Sequence, residues 1–206
     1  CDNELEKISV LLFVLLLADQ ALKIWIKTHL RLDEAIIVVP DWFQLRFIEN
    51  NGAAFGMRIE SGGAVDWGKI ALSLFRVGLC GFIFWFIDRL MKMKAPTGAV
   101  VGLCLILAGA IGNILDSAFY GLIFSASTPS TVAEFGGHYA GFMMGRVVDM
   151  FYFPLFQWNG VPSWLSFLVD SRNYFFGAIF NLADAYISVA VVYLILFQYR
   201  FFNKNF

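Results

Sequence analysis

Residues 98–116 read GAVVGLCLILAGAIGNILD, apolar throughout until the last turn, where Asn113 and Asp116 stand three residues apart. A run of this length approaches the roughly 20 residues an α-helix needs to cross a hydrocarbon core. The same spacing recurs in Phe180-Asn181-Leu182-Ala183-Asp184, within a second apolar stretch from Phe175 to Phe197. On a helix it places amide and carboxylate on one face, one turn apart. A carboxylate beside hydrocarbon is expensive and rarely kept without a role, so each Asp is a candidate functional group. Two of them suggest acid–base chemistry.

The composition agrees with a membrane setting. Of 206 residues 59% are hydrophobic, only 15% are charged and 23 are Phe, with a mean hydropathy of +0.70. A soluble surface could not hide that much apolar matter. A net charge of -1 leaves no basic footprint for nucleic acid, and no zinc finger, helix-turn-helix or phosphate-cradling Gly loop is present. Cys80 and Cys104 fall inside apolar stretches and Cys1 is terminal, which suits neither a disulfide framework nor a metal site. His29 and His138 match no metal motif, so neither metal nor other cofactor is expected.

Two further apolar stretches, Ile8 to Ile26 and Ile70 to Ile87, bring the candidate spans to four. The expected fold is a single integral membrane domain over 1–206, all-α with a small β part. Its transmembrane helices fall at about 8–27, 69–88, 97–117 and 175–199, and its outer loops at about 28–68 and 118–174. The first span reads as a retained helix rather than a cleaved signal, because Asp2, Glu4 and Glu6 precede it and Asp19 and Lys23 interrupt it. Cys1 reads as a chain boundary. Arg89, Lys92 and Lys94 between the second and third spans, with Arg200 and Lys204 in the tail, put those segments and both termini on the cytoplasmic side.

In the first outer loop, Ile36 to Val39 is β-branched, and Trp42 to Ile48 alternates so that Phe43, Leu45 and Phe47 share a face. A small sheet at the membrane surface is predicted. Gly52-Ala53-Ala54 offers small residues for a close approach, and Ser61-Gly62-Gly63 reads as a hinge or turn. The second outer loop carries a Ser, Thr, Ala and Gly-rich insertion from Ser125 to Gly145, and the Trp and Phe content of 158–167 suggests an interfacial belt.

Asp19 and Lys23 form an i, i+4 pair whose plain reading is an ion pair between helices, and Arg76 reads as meeting a buried acid or snorkelling. Asp149, in Arg146-Val147-Val148-Asp149-Met150-Phe151, returns to the outer surface on a β-rich run. Asp116, Asp149 and Asp184 thus lie at one membrane depth. Two carboxylates close together cannot both ionise cheaply and share a proton, the electronic state of an aspartic protease. The rival is a small proton- or ion-coupled transporter using buried carboxylates, which calls for acids at mid-membrane in opposed half-helices.

Together these residues resemble the lipoprotein signal peptidases, the membrane aspartic peptidases also called signal peptidase II. The resemblance runs through Asp19 with Lys23, Asn50-Asn51-Gly52-Ala53-Ala54-Phe55, Gly112-Asn113-x-x-Asp116, Val147-Val148-Asp149 and Phe180-Asn181-Leu182-Ala183-Asp184, and covers nearly the whole chain. It implies four transmembrane helices capped by an extracytoplasmic β cradle in the bacterial inner membrane, with the site near the outer face. The implied activity removes the signal peptide of a diacylglyceryl prolipoprotein by cutting before the lipid-modified Cys. Asp149 and Asp184 then take the catalytic places, with Asn50, Gly52, Asn113, Asp116, Asn181, Asp19 and Lys23 around them. Membrane lipid and globomycin-like cyclic peptide inhibitors are the other implied ligands, and a monomer is expected. Two departures stand out: Ser117 follows Asp116 where the family usually has Arg, so that the contact of that Arg is either absent or supplied elsewhere, with Arg146 the candidate, and the insertion is longer than expected for the family.

Overall fold

The computed structural model describes residues 2–50, 67–170 and 172–205. Four helices dominate. α1 spans Asp2–His29, α2 Trp67–Lys92, α3 Thr97–Leu115 and α4 Leu182–Tyr193. α3 runs on through a π-turn at Asp116–Tyr120 and a last turn at Gly121–Ile123, and α4 through a π-turn at Leu194–Gln198 into Tyr199–Asn205. The apolar, crossing-length segments are Leu5–His29, Ala71–Lys92, Thr97–Ile123 and Leu182–Asn205.

These helices have no polar outer face. Phe13, Phe75, Phe84, Leu196 and Phe197 are all more than 60% exposed, a surface that suits lipid and not water. The inward faces meet in a cluster of Ile83, Ile87, Leu90, Val100, Cys104 and Leu107. α3 is the central helix, packing against each of the other three. Small residues let it approach: a Cβ at Gly112 would stand 2.6 Å from Asp19 Oδ2, so only glycine lets α3 close on the α1 carboxylate.

A four-stranded antiparallel sheet in the order β1-β2-β3-β4 caps one end: β1 Ala35–Val39, β2 Phe43–Asn50, β3 Val147–Tyr152 and β4 Ile179–Phe180. The fold expected from the sequence, four helices and a small sheet, is the one observed. Phe47 is fully buried among Ile26, Leu30, Tyr120, Phe124, Val148 and Met150, whereas Phe43, expected on the same face, stacks on Phe153, and a register shift between Leu45 and Ile48 interrupts the alternation. The register places Ile48 opposite Asp149 and Asn50 opposite Val147.

The insertion at 125–145 folds back beneath this sheet. Ala133 joins the buried cluster and Tyr139 packs on it. At its end a Cβ on Gly145 would lie 2.3 Å from the Asp116 carbonyl oxygen, so the chain there fits against the π-turn only as glycine. Asn51, Gly52-Ala53-Ala54-Phe55 and Ser61-Gly62-Gly63 lie outside the described residues.

Candidate active site

The polar centre of the molecule is a continuous network where the ends of α1, α3 and α4 meet β3. Asn181 lies at its middle. As N-cap of α4 it accepts from the Asp184 amide at 3.0 Å through Oδ1, while its own backbone N–H donates to Asp184 Oδ2 at 3.3 Å, a reciprocal capping box. This is the reason for the Asn-x-x-Asp spacing at 181–184: it opens a helix. The Asn181 Nδ2 group donates to Asp149 Oδ1 at 2.7 Å and to Asn113 Oδ1 at 3.1 Å. One residue therefore grips both Asp149 and Asp184.

Asn113 and Asn50 complete the ring of amides. Asn113 Nδ2 donates to Asp184 Oδ1 at 2.9 Å, and Asn50 Nδ2 donates to Asp149 Oδ2 from the end of β2. The orientation of Asn113 is fixed because its oxygen accepts from Lys23 Nζ at 2.9 Å. At 113–116 the same spacing serves another purpose, since Asp116 turns away from this ring.

Asp116 and Asp19 share Lys23, with Nζ–O distances of 2.8 and 3.0 Å, and all three side chains are fully buried. Gln20 Nε2 donates to Asp116 Oδ1 at 2.9 Å and Tyr120 Oη donates to Gln20 Oε1 at 3.1 Å. Both carboxylates also accept from the backbone. Asp116 Oδ2 accepts from the Val148 amide at 3.3 Å and Asp19 Oδ1 from the Ala183 amide at 3.0 Å. Each therefore holds the residue just before one of the other two acids. The i, i+4 pair at Asp19 and Lys23 is thus an ion pair tying helices, as its plain reading had it.

The acids beside Asn181 lie in different surroundings. Asp149 is 4% exposed while Asp184 is partly open. Burial, and then the charge of Asp184, push the Asp149 carboxyl up to about 7, against the opposing pull of the Asn181 amide, Lys23 and Asn50. Arg76 of α2, which the sequence left between meeting an acid and snorkelling, is coupled electrostatically to Asp184.

Arg146 does not replace the missing Arg beside Asp116. Its guanidinium bonds Glu49 Oε2 at 3.4 Å and lies over the Tyr139 ring, and Lys23 and Gln20 satisfy Asp116 instead. Ser117 bonds back to the Asn113 carbonyl at 3.2 Å, a local contact within α3. Sequence reasoning missed Gln20 and the Lys27–Glu49 pair, which Ser127 of the insertion bridges. Lys27 had a signal, since Asp19, Lys23 and Lys27 follow at i, i+4 and i+8 on one helix face.

Four helices long and apolar enough to cross a membrane therefore meet at a network that holds two carboxylates by side-chain amides. Among the described residues no group of three or more His, Cys, Asp or Glu side chains could hold a metal ion. The acids lie in one network where α1, α3, α4 and β3 meet, not in the opposed half-helices a transporter calls for. The family model described as Signal peptidase (SPase) II matches residues 11–200. A protein named lipoprotein signal peptidase from Porphyromonas gingivalis is 44% identical over 92% of this chain and 81% of its own length. A namesake from Amoebophilus asiaticus is 33% identical over 86% and 71%. A solved bacterial membrane enzyme superposes with a TM-score of 0.60 at 19% identity, covering 98% of this chain and 92% of its own, which establishes the shared fold. The chain belongs to the signal peptidase II family and is a multi-pass membrane peptidase.

Proposed function

We propose that the protein removes the signal peptide from diacylglyceryl prolipoproteins by cutting before the lipid-modified Cys, with Asp149 and Asp184 as its catalytic dyad. The observation that carries this reading is the grip of Asn181 on both carboxylates. Two acids held by one amide can address the same water and the same peptide bond.

The asymmetry of the pair supports a division of labour. Asp149, buried and with its carboxyl pushed up to about 7, serves as the general acid, and Asp184, partly open beside it, serves as the general base. Asp184 takes a proton from water as the oxygen attacks the scissile carbonyl carbon, and Asp149 protonates the carbonyl oxygen to give a neutral diol. Asp184 then returns its proton to the leaving nitrogen while Asp149 recovers one from a diol hydroxyl. The C–N bond breaks and both acids regain their starting states. Asn50, Asn113 and Asn181 keep the carboxylates aimed throughout.

The substrate suits this setting because a signal peptide is an apolar helix and its diacylglyceryl group is hydrocarbon, so both lie among the helices while the cleaved bond meets water at the edge. We place the site near the outer face of the bacterial inner membrane, with both termini cytoplasmic, because Arg89, Lys92 and Lys94 lie at the opposite end. A monomer completes this reading, and a globomycin-like cyclic peptide would compete for the same cleft. The test is cleavage of a purified diacylglyceryl prolipoprotein by Asp149→Asn and Asp184→Asn: each loses about 1,000-fold or more in rate while folding normally. Full turnover by either variant removes the dyad assignment.

A further inference from the structure

At the end of the helices away from the acids, the first turns of α1 diverge from the α2–α3 turn and leave a cavity of about 560 Å³. Its walls are apolar, from Ile8 and Leu11 of α1 and from Met91, Val100 and Val101 around the turn. Lys7, Lys92 and Lys94 also line it, all three exposed, with Glu6 beside Lys7 on α1 and with Lys7, like Lys92, already engaged in a contact that an anion would have to displace or share. Asp88 bonds Lys92 at 2.6 Å, but both side chains are more than half exposed, and an ion pair of that kind exchanges readily for a stronger anion. The cavity lies where the apolar segments Leu5–His29 and Thr97–Ile123 begin and Ala71–Lys92 ends, which is headgroup depth for a bilayer.

We infer that this groove binds one anionic glycerophospholipid, its phosphate among Lys7, Lys92 and Lys94 and its acyl chains along Ile8, Leu11 and Val101. The charge pattern selects the occupant. A zwitterionic headgroup gains little from three cations, a soluble anion makes no use of the apolar walls, and a basic peptide is repelled. An acidic lipid satisfies both halves of the groove at once. Seated there, it bridges α1 to the α2–α3 turn and tightens the end of the bundle that the acid network does not reach.

The test uses the full-length protein, delipidated in detergent and titrated with dioleoyl phosphatidylglycerol, dioleoyl phosphatidylcholine or inorganic phosphate, with bound lipid counted by native mass spectrometry. One phosphatidylglycerol is expected to bind at least about tenfold more tightly than phosphatidylcholine, and phosphate alone to displace it poorly. Lys92→Gln with Lys94→Gln should weaken binding by about fivefold for each lysine removed. Val101→Trp, which fills the groove and keeps all three lysines, should abolish the selective site, and Arg200→Gln with Lys204→Gln should leave it intact. Ile8→Trp serves as a second filling variant should Val101→Trp not fold. Equal binding of the two lipids, or full retention of phosphatidylglycerol by a folded, groove-filled variant, would show surface attraction only and overturn the site.

Discussion

Four aspartates share one hydrogen-bonded network, yet they form two pairs with opposite electrostatics. Asp19 and Asp116 are fully buried and share the single Lys23 ammonium, which offsets part of their charge, and each also accepts from a backbone amide, Asp19 from Ala183 and Asp116 from Val148. Asp149 and Asp184 receive amide hydrogens from Asn50, Asn113 and Asn181 and no ion pair among the described residues. An acid held by neutral amides beside a second acid is placed to exchange a proton with it. The first pair is the mount, and the second is the instrument it holds.

Removing the cation is the harshest way to break this contrast. Lys23→Met leaves two uncompensated carboxylates in the interior, and a loss of about 3–5 kcal/mol is expected, read as a lowered unfolding temperature in detergent. Adding Asp19→Asn should restore part of it. Unchanged stability of Lys23→Met would mean that the mount carries no charge. Asp116→Asn is milder, since an amide oxygen can still accept from Val148. It should cost about 1–3 kcal/mol and lower cleavage only partially, by roughly tenfold, through misplacement of Asp149. A full loss with normal folding would merge the two pairs.

The proton on Asp149 gives a test in pH. With its carboxyl pushed up to about 7 in the folded protein, the folded state binds more protons than the unfolded chain between the usual carboxylate range and about 7. Stability from this group is therefore present at acid pH, falls as pH rises through that window and levels off above it. Asp149→Asn should flatten that slope in thermal unfolding measured from pH 4 to 8, and an unaltered slope would contradict the buried proton. The smallest effect is expected at Arg76. Arg76→Gln removes a positive charge that acts on Asp184, and the cleavage rate of the prolipoprotein should fall by less than about tenfold, with an unchanged rate showing that Arg76 has no part in the site.

Much of this was legible in the chain itself, and the part that was not follows a pattern. The four helices could be read because crossing a membrane requires a run such as 98–115, and β2 because its apolar residues alternate up to Leu45, beyond which a register shift hides from the sequence which face Phe47 takes. The two Asn-x-x-Asp segments marked residues that meet in one network. Their likeness concealed that one opens α4 as a capping box while the other sends Asn113 to Asp184 and Asp116 to Lys23. Long-range partners were hidden because they depend on register and helix rotation. Nothing near Asn50 reveals that β2 sets it beside Asp149, and nothing near Arg146 reveals that Glu49 takes it in place of Asp116. Gln20 was passed over because an uncharged residue beside Asp19 draws no notice until its two ends are seen joining Asp116 and Tyr120.

The division into mount and instrument meets its most direct test in the cleavage rate of a diacylglyceryl prolipoprotein by Asp149→Asn, Asp184→Asn, the double variant and Asp116→Asn, each verified as folded. Residues that act as a unit lose their effect together. The three dyad variants should therefore fall to one common floor, with Asp116→Asn measurably above it. Turnover by Asp184→Asn, with Asp116→Asn at the floor, would contradict the assignment and make Asp116 the acid that works.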